Sequence, residues 1–244
     1  MLIIVKRTFF ISLATLAFGL FVGDTLPSPD KLDLRLEDDP VQEATYKKPF
    51  DVTVNKISYY INPLFDYELY GLVVSKHESD SLADQAHKLW KDHLNTADLC
   101  IVWGKNAFSG IYKRLKFRSG QWTCYVQSSS LDDWNLFSNE HLSNNHMLSD
   151  RRDIIKKLRK VRVGDQIHFT GYLAEYSHGD FFRGTSTVRT DSGNGACETV
   201  YVEAFTIIKS GPRFWLFVRR LALIAFLASI AAWFIMPDRY HSGN

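Results

Sequence analysis

The chain has 244 residues, a formal net charge of +2, and 45% hydrophobic and 23% charged side chains, a balance that excludes intrinsic disorder. Residues 24–213 carry 24 basic and 26 acidic side chains, so the charge footprint of a nucleic-acid binder is missing. Aromatic residues reach 14%, which favours a β-rich core or a surface built for contacts.

Residues 1–23 begin with Leu2, Ile3, Ile4 and Val5, then Lys6 and Arg7, then an uncharged apolar run over 8–22. A spanning helix needs about 20 apolar residues. The run reaches that length only if Lys6 and Arg7 snorkel to the headgroups. The segment is read as a transmembrane anchor. A signal peptide is the alternative, with bulky Phe21 and Val22 before Gly23 making a poor cleavage site. Residues 24–50 read as a linker, because Pro27, Pro29, Pro40 and acidic clusters leave no sustained hydrophobic period.

Residues 51–212 read as one soluble domain. Alternation predicts strands over 52–61, ended by Asn62-Pro63, and over 67–75. Ala86, Leu89 and Trp90 follow Leu82 at helical spacing, which predicts a helix over 80–95 capped by Ser79 or Ser81. A short apolar strand over 99–103 is closed by Gly104, and 111–117 with 121–127 form a hairpin about Arg118-Ser119-Gly120. Residues 131–150 are irregular, and 150–160 form a basic helix. A turn at 163–165 leads into a strand over 166–172. A loop at 179–184, a strand over 185–190, a turn at 191–195 and a strand over 198–208 complete the domain.

These elements predict an α+β fold, a β-rich domain with a curled antiparallel sheet and one or two helices. The Gly164-Asp165 turn and the strand glycine Gly171 make 163–208 read like part of an OB-type Greek-key barrel. Residues 213–237 are read as a C-terminal transmembrane helix. Its uncharged run over 221–236 is extended by 214–218, anchored by Trp215 and Trp233, and ended by Pro237, with 238–244 as a tail. Lys6 and Arg7 place the N-terminus in the cytoplasm and the domain outside, whereas Arg213, Arg219 and Arg220 pull the other way. The first helix usually dominates, so the expected location is a bacterial inner membrane with the domain in the periplasm.

No motif identifies a reaction. An oxidising compartment permits one disulfide, Cys100 with Cys124, leaving Cys197 odd; three buried thiols are the other reading. Glu140, His141, His146 and Asp150 form the densest polar stretch and are the candidate metal ligands, with His178 as a fifth. Their spacing is not that of a helical metal pair, and the flanking Asn and Ser favour a hydrogen-bonded loop. Cys197 with His178 or His168 has the residue types of a thiol nucleophile and base, but a cysteine beside Gly195 and Ala196 more often packs. Gly193 and Gly195 make no phosphate loop. Trp103, Trp122, Tyr125 and Trp134 near Lys113, Arg114, Lys116 and Arg118 suit core packing or protein contact better than strand stacking, given the charge balance.

The blocks 98–104, 120–125, 143–146 and 193–198 resemble those of bacterial membrane-anchored proteins. The resemblance implies bacterial origin and membrane attachment and supplies no catalytic residue. The expected function is a non-enzymatic, membrane-tethered interaction domain or accessory subunit. Its expected partners are integral membrane or envelope proteins, the lipid bilayer and a second copy of the chain, without a cofactor or nucleic acid. A membrane-anchored metal-dependent hydrolase using the 140–150 loop is the alternative.

Overall fold

A computed structural model describes residues 2–22, 25–79, 81, 84–188, 191 and 196–235. The chain divides into two compact units, residues 26–211 and residues 1–25 with 212–244.

The second of these holds α1 (Leu2–Val22), whose antiparallel partner is the final helix of the chain, Phe214–Ile235. Phe9 packs on Phe226 with centroids 5.1 Å apart, Phe18 meets Trp215 edge-on at 5.5 Å, and Lys6 lies 5.5 Å over Trp233. Among the described residues, only the Phe214–Ile235 helix is long and apolar enough to cross a membrane. The expected N-terminal span is not shown. Lys6 and Arg7 cut its apolar run, and the uncharged remainder, residues 8–22, falls short of the about 20 residues a span needs. Pro237 and the tail lie outside the described residues.

Residues 26–211 begin with 3₁₀ turns at Pro29–Lys31 and Leu34–Glu37, followed by β1 (Val41–Ala44), β2 (Phe50–Val54) and β3 (Ile57–His77). Then come α2 (Gln85–Leu89), β4 (Asn95–Val102), α3 (Gly104–Phe108), β5 (Lys116–Ser119) and β6 (Cys124–Gln127). The chain continues through α4 (Leu131–Leu136), β7 (Leu142–Leu148), α5 (Arg152–Lys160), β8 (Gln166–His178), β9 (Phe181–Arg183) and β10 (Glu198–Lys209), and the last helix is α6 (Phe214–Ile235).

Pairing runs in a closed circuit. β3 pairs with β4, β4 with β7, β7 with β10, β10 with β8, and β8 returns to β3. Every step is antiparallel except β7–β10, which is parallel. Closure leaves no unpaired edge within the circuit and encloses a core of Leu69, Leu99, Ile101, Ile167, Phe169, Val202 and Phe205. The amphipathic α5 closes that core with Ile154 and Leu158, each contributing about 2 kcal/mol by burial.

Several local signals were overridden. The strand expected over 52–61 is a hairpin, turning at Asn55 and Lys56, whose φ values of 49° and 67° suit a tight turn. Asn62-Pro63 does not end β3: Pro63 stays in register opposite Ala174, beside a register shift before Phe65, the kind of irregularity at which a strand proline is tolerated. The helix expected over 80–95 is only Gln85–Leu89. Asp84 caps it by accepting from the His87 N–H, and Asn95 already belongs to β4. Asp80 and Leu82 lie outside the described residues. The stretch 131–150, expected to be irregular, contains α4 and β7. No strand forms over 184–188, and most of the 191–195 turn lies outside the described residues. The expected linker packs rather than standing free: Leu32 and Leu36 are buried, and the Tyr112 hydroxyl donates to the Pro27 carbonyl at 2.6 Å.

Gly171 is required by close approach. A Cβ there would overlap the Tyr201 carbonyl oxygen, at the rung where β8 crosses β10 beside a bulge. Backbone has nowhere to yield in a closed barrel. Gly171→Ala is expected to cost about 3 kcal/mol, read as a lower midpoint in urea denaturation of the detergent-solubilised protein; an unchanged midpoint would disprove the close approach.

Candidate functional site

The site is built on β4 and β7. Along β4, Ala97, Leu99 and Ile101 face the main core, so Asp98 and Cys100 face the other side. Register places Asp98 opposite His146 and Cys100 opposite Asn144 on β7. A carboxylate and an imidazole are thereby buried side by side, each with its side chain fully inaccessible.

Asp98 Oδ1 accepts from His146 Nδ1 at 2.6 Å and from Asn95 Nδ2 at 2.8 Å, while Oδ2 accepts from the Trp122 N–H at 3.3 Å. On its far side, His146 Nε2 lies 2.6 Å from Arg183 Nη2. A guanidinium only donates, so Nε2 accepts, and the ring proton sits on Nδ1 facing Asp98. His146 is thereby held between a carboxylate and a guanidinium. Burial opposes ionisation of Asp98, but His146 and Asn95 outweigh it and hold the carboxyl down at about 2.

Arg183 comes from β9, the strand that folds back from β8 at Gly179 and Asp180. Its guanidinium lies 5.6 Å over the Trp122 ring. Trp122 sits in the β5–β6 loop with a left-handed φ of 58°, uncommon for a bulky residue. It stacks on Trp90 at 4.7 Å with planes 10° apart. The Cys100–Cys124 disulfide ties this hairpin to β4, with Cα atoms 5.7 Å apart.

These groups wall a cavity of about 870 Å³ whose lining includes Trp90, Trp134, Asn144, Phe182, Arg183 and Cys197. Phe182 is 64% exposed, Trp90 50% and Trp134 43%, so the rim is aromatic and open to solvent. Arg183 forms no salt bridge with a described carboxylate. Two further polar atoms of the wall, Asn144 Oδ1 and Trp122 Nε1, have no hydrogen-bond partner among the described residues.

Comparison with protein-family models, curated proteins and solved structures finds no match. Function at this site therefore rests on its own geometry. The four metal ligands expected from the sequence lie on different partners. His141 bonds the Ser138 hydroxyl, His146 is held by Asp98 and Arg183, Asp150 accepts from the Tyr201 hydroxyl, and Glu140 is exposed. No three of them converge. The reason is local: His141 ends a 3₁₀ turn, while His146 leaves its strand beside Asp98 on the face turned away from the main core.

Cys197 is a free thiol whose Sγ donates to the Trp122 carbonyl at 3.2 Å. Burial pushes it above the usual thiol range, the Asn144 bond notwithstanding, so it is protonated and a poor nucleophile. Neither expected base reaches it: His168 pairs with Glu68 at 2.7 Å and His178 packs between Tyr59 and Phe181. The aromatic set divides as well. Trp103 is buried with its Nε1 on Asp39, whereas Trp122 and Trp134 line the cavity. Sequence reasoning missed the site roles of Asp98, Arg183 and Trp90. Asp98 stands between Ala97 and Leu99 in an apolar strand, and that interruption was the available signal.

Proposed function

We propose that this protein is a membrane-tethered binding domain whose open aromatic cavity grips a protein partner, with Arg183 meeting an acidic group of that partner. The observation that carries the reading is the cavity of about 870 Å³, rimmed by exposed Trp90, Trp134 and Phe182 and floored by a cation without a described carboxylate partner. Tryptophan and arginine anchors in a desolvated pocket dominate protein interfaces. A cluster of exposed aromatic rings is costly to leave in water unless something covers it.

The connectivity supports reading the barrel as one of the OB type. Counting only circuit strands, the third and fifth run parallel, the fourth bridges the fifth to the first, and α5 lies between the third and fourth. OB barrels serve many ligands, so this assignment by itself names none. The near-neutral charge of residues 24–213 favours protein over nucleic acid. The Cys100–Cys124 bond and the N-terminal Lys6-Arg7 pair support a periplasmic domain on a bacterial inner membrane, with α6 as anchor.

Purification of the full chain in mild detergent is expected to recover a stoichiometric membrane or envelope protein. Trp134→Ala and Phe182→Ala, both surface truncations, are expected to reduce that recovery at least about tenfold while leaving the melting temperature in place. Recovery unchanged in both variants would overturn the role of the cavity.

A further inference from the structure

A second polar cluster, behind the cavity wall at Gln121 and Trp122, has the composition of a metal centre. His77 closes β3, Asp84 caps α2, and His87 sits one turn into α2. Asp84 Oδ2 lies 2.6 Å from His77 Nε2 and 2.7 Å from His87 Nδ1. The three ligand-type atoms all fall within 4.8 Å of one another, and among the described residues no other set of three His, Cys, Asp or Glu groups does so. We propose that His77, Asp84 and His87 bind one divalent transition-metal ion of the zinc class, with a fourth position left to water.

Four observations converge. First, the donor set is two imidazoles and one carboxylate, the chemistry of three-ligand zinc sites. Second, the ligands come from two elements held in place by other bonds. Asp84 Oδ1 accepts the His87 N–H at 3.0 Å, which aims its other oxygen at the two rings. Third, the outer nitrogen of His87 already faces a carboxylate. Its Nε2 lies 3.3 Å from Asn95 Nδ2 and 3.6 Å from Asp92 Oδ2, and carboxylate–imidazole–metal chains orient metal-bound histidines. Fourth, the two carboxylates have little direct compensation. The Asp84 and Asp92 side chains are both fully inaccessible, and among the described residues they meet only imidazoles at salt-bridge distance, with Arg183 acting on Asp92 from farther away. Asp92 Oδ1 has no hydrogen-bond partner among those residues. A divalent cation at the Asp84 oxygen opposes both carboxylates, directly at Asp84 and through His87 at Asp92.

Binding replaces two imidazole N–H donors with two nitrogen lone pairs on the metal. Each ring then carries its proton on the other nitrogen. The ion clips the end of β3 to α2. Because the His87 ring lies 5.0 Å from the Trp122 ring, occupancy also has an optical signature.

The test uses the full chain in detergent, stripped with a chelator and titrated with zinc chloride against a chromophoric competitor. One equivalent is expected, with a change in tryptophan emission, and cobalt substitution is expected to give the strong visible bands of a tetrahedral site. His77→Ala and Asp84→Asn are expected to weaken binding at least tenfold. His77 is partly exposed, and asparagine keeps the cap acceptor, so both variants should retain the native circular dichroism spectrum. Binding that is absent, or of equal strength in both folded variants, would overturn the assignment. Histidines elsewhere would then account for any zinc retained.

Discussion

Replacing Asp98 by alanine is expected to lower the unfolding free energy by about 4 kcal/mol, the cost of leaving several buried donors without their acceptor. The substitution strands three donors at once: His146 Nδ1, Asn95 Nδ2 and the Trp122 N–H. Chemical denaturation of the full chain in detergent measures the loss. Asp98→Asn, which keeps one oxygen for His146, is expected to cost clearly less. Equal costs for the two variants would show that the cavity left behind, not the hydrogen bonds, sets the penalty.

The same carboxyl makes stability depend on pH in a defined direction. Its folded value of about 2 lies below the value of about 3.9 in an unfolded chain. The unfolded state therefore takes up the proton first as the solution is acidified. The contribution, on the order of 2 to 3 kcal/mol, is fully present above about pH 5 and is lost as pH falls from there towards 2. An Asp98→Asn protein should lack that part of the acid dependence.

The second large effect belongs to the disulfide. Cys100 and Cys124 are separated by 24 positions, and closing a loop of that length restrains the unfolded chain by about 3.5 kcal/mol. Native consequences add to this, because the bond holds the β5–β6 hairpin, and with it Trp122, against β4. Reduction, or Cys100→Ala with Cys124→Ala, is expected to lower the melting temperature by about 10 °C for a chain of this size. Partner recovery should fall with it, since Trp122 forms part of the cavity wall. A melting curve indifferent to reductant would mean that the bond contributes nothing to the native protein and would remove the main support for an oxidising compartment.

Elements with strong local periodicity were legible in the sequence. The amphipathic α5, the alternation of β10 and the apolar α6 appear close to where their patterns place them, whereas the hairpin expected from strands 111–117 and 121–127 forms from the shorter β5 and β6, with a 3₁₀ turn at Ile111–Lys113. Misreadings arose where tertiary pairing outbid a local signal. Leu94 and Asn95 carry helical spacing from Ala86, yet both are buried at the entrance to β4, because a strand there completes the barrel. The polar run of β7 looked like loop, since Ser143, Asn144, Asn145 and His146 mimic turn composition. Their hydrogen-bonding groups are met mainly inside the fold, by strand neighbours and by partners such as Asp98 and Cys197.

Composition and patterning alone determined that the chain is a β-rich α+β domain of near-neutral charge followed by an apolar helix. Those properties depend on neighbours within a turn or a strand, which any short window of sequence contains. The site was decided only by tertiary structure. Asp98 meets His146 across 48 positions and His146 meets Arg183 across 37, and both contacts exist because β7 pairs with β4 while β9 folds back from β8. Strand register, not spacing along the chain, selects which polar side chains share a buried face. A one-residue slip in either pairing would send His146 or Arg183 to the opposite side of the sheet.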